Sequence, residues 1–318
     1  MQTLTKKKRI WLVVGICVLV LCIAFVVLAL LWRSGALAPT QTETTTEPTA
    51  SQTQTISQAT QQQTEPTEET VDPLELLIPR NRFTPVDFAY VGDYLTCVTE
   101  ECQMGIDVSK YQSNIDWEQV KEAGFTFVMI RVGYRGYGQA GTMRPDEMAN
   151  IHYRGAKDAG LEVGAYFFSQ ATSVEEAREE AFYALELTAD WELDLPIVYD
   201  WEYISEDART AKVDKDTLTA CAMAFCQEIS DAGRRTMIYV SPWFGNLHLH
   251  MLADYPQWIA LYKDQMDYKY HFDMWQYTCT GSVPGVKGDV DINIFFPYGK
   301  DEIWPEKGPI EYEKPAEE

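Results

Sequence analysis

Three tripeptides of one kind, Glu122-Ala123-Gly124, Asp158-Ala159-Gly160 and Asp231-Ala232-Gly233, each close a helix-like stretch and precede an apolar run. Glycine at that place is the common left-handed helix stop. The glycines stand 36 and 73 residues apart, one repeat and about two, and the absent copy falls near Pro196, just before Ile197-Val198-Tyr199. Ser173 with Glu176 reads as a capping box at a helix start. The resulting pattern places strands near 106–109, 126–132, 163–168, 196–202, 236–241, 258–262, 273–277 and 290–294. The first five alternate with helices, which implies a parallel sheet. The last three begin too close together for full helical crossovers, so their connections are expected to be short or irregular. The expected fold is α/β, an irregular (β/α) barrel with eight strands and about five helices.

In such a barrel the site lies at the carboxyl ends of the strands. Acids stand there. Asp200 and Glu202 close the apolar run Leu195-Pro196-Ile197-Val198 and, two apart, share a strand face. Asp107 follows Gly105-Ile106 on the first strand, and Asp291 lies in Gly288-Asp289-Val290-Asp291 on the last, with Asp289 an alternative that spacing alone leaves open. Acids facing a barrel interior are costly unless paired, hydrogen-bonded or functional. Two carboxyls flanking a sugar are what glycosidic cleavage uses, one donating a proton and the other stabilising an oxocarbenium-like centre. Aromatic residues crowd the same ends and are candidates for stacking on sugar rings: Tyr134, Tyr166, Tyr199, Tyr239, Trp258, Tyr262 and Trp275, with Trp243 nearby. Phe168 and Trp201 read as packing.

Seven segments occur in order: Gly105 to Ser109, Asn114 to Trp117, Phe127 to Arg131, Gly164 to Ser169, Pro196 to Glu202, Trp275-Gln276-Tyr277, and Val290 to Asn293. Together they resemble glycoside hydrolase family 25, the Chalaropsis-type lysozymes or muramidases, over roughly residues 104–296. The resemblance implies a barrel of eight strands and five helices. It also implies hydrolysis of the β-1,4 bond between N-acetylmuramic acid and N-acetylglucosamine in peptidoglycan. Glu202 matches the family's general acid/base, Asp200 its partner carboxylate, and Asp107 and Asp291 the two further site acids. In the family the partner carboxylate steers the substrate's acetamido group as internal nucleophile; residue types alone leave retention and inversion both open. A tethered module that binds peptidoglycan without cleaving it is the alternative reading.

Residues 10–32 contain no charged side chain and span roughly 35 Å as a helix, enough to cross a bilayer. Lys6, Lys7, Lys8 and Arg9 precede the run, which places residues 1–9 in the cytoplasm and the remainder outside. The run is longer than a cleavable signal's apolar core, so a single-pass anchor in the cell membrane is expected. Residues 33–73, rich in Thr, Gln, Ser, Glu and Pro, read as a disordered linker. Residues 74–103 are expected to pack on the barrel, residues 104–298 to form the catalytic domain, and residues 299–318 to form an acidic tail. Five of the 26 basic residues and none of the 48 acids precede position 34, so the remainder carries 21 against 48, a net −27. Such a surface excludes nucleic acid as a partner. The expected partners are peptidoglycan glycan strands and, through residues 10–32, the bilayer.

No metal or cofactor is expected. There is no Cys-x-x-Cys pair, and His248-x-His250 lacks a third ligand. Gly136-x-Gly138-x-x-Gly141 fits a dinucleotide fingerprint, but Thr142 to Pro145 intervene before any helix, which favours a loop. Cys97 and Cys102 are close enough in sequence to close a small loop, a pairing the sequence leaves open. Cys221 and Cys226, five apart on one helix, point about 140° apart and read as buried thiols.

Overall fold

The computed structural model describes residues 74–240 and 247–297. The apolar run 10–32, the linker 33–73, Trp243 and the tail 299–318 lie outside them. Among the described residues no helix is long and apolar enough to cross a membrane.

The eight expected strands are all present: β3 (Gln103–Val108), β4 (Phe127–Arg135), β6 (Glu162–Ser169), β7 (Ile197–Trp201), β8 (Thr236–Val240), β9 (Gln257–Ala260), β10 (Met274–Gly281) and β11 (Val290–Phe295). They close into a barrel in the order β3-β4-β6-β7-β8-β9-β10-β11, with β11 returning to β3. All pairs are parallel except those of β11, which runs antiparallel to both β10 and β3. A short β5 (Met143–Pro145) hangs on β4 as a hairpin. Gly136 to Gly141 form the turn of that hairpin, which is why no helix opens there.

Helices α1 (Trp117–Glu122), α2 (Ala149–Asp158), α3 (Val174–Leu187) and α4 (Lys215–Asp231) follow the first four barrel strands. The three repeated glycines adopt φ of 97°, 75° and 67°, as a left-handed stop requires. The capping box forms by half. Ser173 accepts from the Glu176 N–H, but the Glu176 carboxylate turns to Thr172 and Arg209. Where a fifth helix was expected after β8, the described residues hold only the 3₁₀ turn Leu249–Met251. Residues 241–246 of this connection lie outside the described residues.

Strand parity divides the apolar side chains into two cores. Phe127, Met129, Tyr166, Val198, Met237, Tyr239, Trp258, Met274 and Phe295 point into the barrel. The alternate residues point outward against the helices. Gly105 faces inward where the Phe127 ring lies, and any Cβ there would collide with it. Among the described residues no helix packs on the outer face of β10. The leading segment covers it instead: β1 (Phe88–Val91) and β2 (Tyr94–Cys97) form an antiparallel hairpin. Phe88 meets Trp275 edge-on at 5.0 Å, and Phe83 packs on Phe272 and Phe296 at 5.6 and 4.4 Å. Burial of such rings contributes roughly 1.5–3 kcal/mol each, which is what ties this segment to the barrel. Cys97, Cys102, Cys221 and Cys226 are free thiols.

Candidate active site

The four acids named from sequence line a single cavity of about 200 Å³ at one mouth of the barrel. Asp107, Asp200 and Glu202 stand at the carboxyl ends of β3 and β7. Asp291 reaches the same mouth differently: β11 is antiparallel, so Asp291 comes from near its beginning and sits directly opposite Asp107. Asp289 is exposed and outside the lining, which resolves the alternative in favour of Asp291.

Asp107 is held from two sides. Its Oδ2 accepts from Gln276 Nε2 at 2.8 Å and from Asn293 Nδ2 at 2.9 Å. Gln276 Oε1 in turn accepts the hydroxyls of Tyr239 and Tyr262, at 2.8 and 3.0 Å. Asn293 Oδ1 accepts from Trp258 Nε1 at 2.8 Å. Three aromatic residues and two amides therefore fix one carboxylate. Asp200 is 5% exposed, and its Oδ1 has no hydrogen-bond partner among the described residues. The backbone of Glu202 is clamped. Gln170 Nε2 donates to its carbonyl at 3.0 Å, while Thr210 and Arg209 donate to Gln170 at 2.8 and 3.0 Å.

Four carboxyls face one guanidinium, that of Arg131, which forms an ion pair with Asp146 at 2.8 Å. The consequence is an excess of bound protons. Burial raises Asp107 to about 6 against the lowering effect of its two amide donors. Burial, and then the charge of Asp107, raise Asp291 to about 8. Asp200 is raised well above the carboxylate range by burial, then by Glu202 and Asp107. Burial and then Asp107 raise Glu202. A general acid needs this combination, a carboxyl that keeps its proton near neutral pH beside others that differ in environment.

The aromatic candidates divide. Tyr166, Tyr239, Trp258 and Tyr262 line the cavity. Tyr134 lies beside it, its ring within 5.5 Å of the Arg131 guanidinium and 5.4 Å of the Lys110 amine. Tyr199 and Trp275 do not belong to the site. Both sit at odd parity to the inward residues of their strands, Val198 and Asp200 on β7, Met274 and Gln276 on β10. Tyr199 packs on Phe225 at 5.3 Å, and Trp275 Nε1 donates to the Leu261 carbonyl outside the barrel. Arg131, Gln276 and Asn293 were missed as site residues. The signal was available, since Asn293 is two residues from Asp291 and therefore shares its face.

Two larger hollows, of about 930 and 830 Å³, are also present, the first adjoining the acid cavity at Tyr262. Neither gathers the acids, so the smaller cavity is the candidate site.

The family model described as Glycosyl hydrolases family 25 matches residues 106–286. Lysozyme M1 of Streptomyces globisporus is 29% identical over 203 residues, covering 60% of this chain and 67% of its own. The autolytic lysozyme of Clostridium acetobutylicum is 28% identical over 195 residues, covering 60% of this chain and 55% of its own. The chain thus spans between about half and two thirds of the length of these curated relatives. The crystal structure of a bacterial lysozyme from Streptomyces coelicolor aligns with a TM-score of 0.51 at 27% identity, over 63% of this chain and 94% of that one.

Proposed function

The chain belongs to glycosyl hydrolase family 25, and on that premise we propose that it is a muramidase, cleaving the β-1,4 bond between N-acetylmuramic acid and N-acetylglucosamine in peptidoglycan. The observation that carries the reading is the convergence of Asp107, Asp200, Glu202 and Asp291 around one sugar-sized cavity.

Glu202 is the general acid, its hold on a proton strengthened by burial and then by the charge of Asp107. Asp200 Oδ1, without a partner among the described residues, suits the N–H of the 2-acetamido group of the sugar beneath it. That hydrogen bond favours the ionised form of Asp200. Substrate binding thereby sorts the two protons, leaving Glu202 as the donor. The acetamido oxygen attacks C1 as the C1–O4 bond breaks, and Glu202 gives its proton to the departing oxygen. Glu202, now a carboxylate, takes a proton from the water that reopens the cyclic intermediate at C1, giving net retention. Asp107, fixed by Gln276 and Asn293, supplies negative charge beside the developing oxocarbenium ion, while Asp291 opposite it keeps its proton.

Placement follows from the N-terminal residues. The run 10–32 anchors the protein in the cell membrane with residues 1–9 in the cytoplasm, and the linker 33–73 carries the domain outward to the wall. With a net −27 outside, charge does not draw the domain to anionic polymers, and the tether supplies proximity.

The test is turbidity loss of purified cell walls with wild type and with Glu202→Gln. Wild type clears the suspension and the variant does not. No clearing by either, with both folded, favours the non-hydrolytic binding module; equal clearing by both removes Glu202 from the role of acid.

A further inference from the structure

Beside the acid cavity runs a groove of about 930 Å³ between the β1–β2 hairpin and the turn from β10 to β11. Tyr262 lines both hollows, so the two adjoin at that side chain. The acid cavity, at about 200 Å³, is smaller than the ~300–1,000 Å³ typical of a complete ligand site, whereas the groove reaches that range. The hairpin precedes the residues matched by the family model.

The lining chemistry is specific. Tyr90 and Tyr262 expose about half their surface, 52% and 48%, and flank the groove. Tyr90 is held in place, its hydroxyl donating to Asp264 at 2.7 Å. Tyr94 donates to the Ser282 carbonyl at 3.2 Å and pins the hairpin to the opposite wall. Asp93 and Asp264 offer carboxylate acceptors, and Thr278 and Thr280 offer hydroxyls. Lys263, the cation of the lining, is engaged with Asp267 at 2.6 Å. Fixed aromatic faces with acceptor oxygens suit the C–H faces and hydroxyls of a sugar chain, and the acidic balance opposes the further carboxylates of stem peptides and of polyanionic wall polymers.

We propose that this groove binds the continuing glycan strand as bare oligosaccharide, extending the acid cavity and making the protein selective for long chains. The proposal rests on the muramidase reading, and its test separates the two. In the Glu202→Gln background of the full chain, the affinity for peptide-free glycan strands of about ten disaccharides is compared with that for a tetrasaccharide. Adding Tyr90→Ala should lower the long-to-short affinity ratio about five- to tenfold, the worth of one aromatic contact. Tyr90→Phe, which keeps the ring and loses only the tether to Asp264, should retain most of the ratio. An unchanged ratio with Tyr90→Ala overturns the groove, as does a loss seen only with peptide-bearing strands. If long strands bind through Tyr90 but wild type does not cleave them, the muramidase reading fails and the groove stands. If wild type cleaves and the ratio does not move, the reverse holds.

Discussion

Replacing Asp107 by Asn should make the protein more stable at neutral pH while impairing the site. Asp107 is 6% exposed. Burial lifts it from the ordinary carboxylate value of about 3.9 to about 6. The sign follows from proton counting. Between these two values the folded state binds more protons at this group than the unfolded state, so stability falls as pH rises through that window. At about 1.4 kcal/mol per pH unit, ionising Asp107 costs about 3 kcal/mol, fully present above about pH 7 and absent below about pH 4. Asparagine is close in shape to the protonated acid and keeps an oxygen for the Gln276 and Asn293 donors. Asp107→Asn should therefore melt on the order of 6–12 °C above wild type at pH 7.5, and with wild type at pH 4. Because Asp107 also raises Glu202, the pH profile of any residual activity should shift toward acid. Thermal melts of both proteins at the two pH values decide. No gain at pH 7.5, or an equal gain at both, refutes the reasoning.

Two further outcomes are expected, one from the packing and one from the apolar run 10–32. Trp275→Ala should lose about 3–5 kcal/mol in chemical denaturation, since the ring is fully buried against the leading segment, yet leave the KM of the surviving enzyme unchanged; a raised KM with unchanged stability would put Trp275 back in the site. The full chain should sediment with membranes and resist alkaline carbonate, with its domain cut by protease added outside intact protoplasts; release of the unprocessed chain into the soluble fraction would refute the anchor.

Much of the barrel was legible because its signals are local. The glycine stops and apolar runs report backbone conformation a few residues away, and strands such as β6 and β7 begin within a residue of where the pattern places them. The acids were legible because carboxyls at strand ends have few other reasons to be there. Tyr199 and Trp275 were misassigned for one physical reason, the neglect of period-two parity. Counting from Asp200 places Tyr199 on the outer face, and counting from Gln276 does the same for Trp275. Gln276 and Asn293 matter through bonds to Asp107, 169 and 186 residues away, which no local window contains. The leading hairpin was foreseen as packing but not as the cover for β10. That role depends on which strands lack helices, a property of the whole sheet.

The most direct test of the central claim is the identity of the new reducing end in digests of purified peptidoglycan. Chemical reduction of the products followed by mass spectrometry should find N-acetylmuramic acid there, with wild type and not with Glu202→Gln. New reducing ends on N-acetylglucosamine, or the same products from both proteins, would contradict the assignment of the bond cleaved or of the acid that cleaves it.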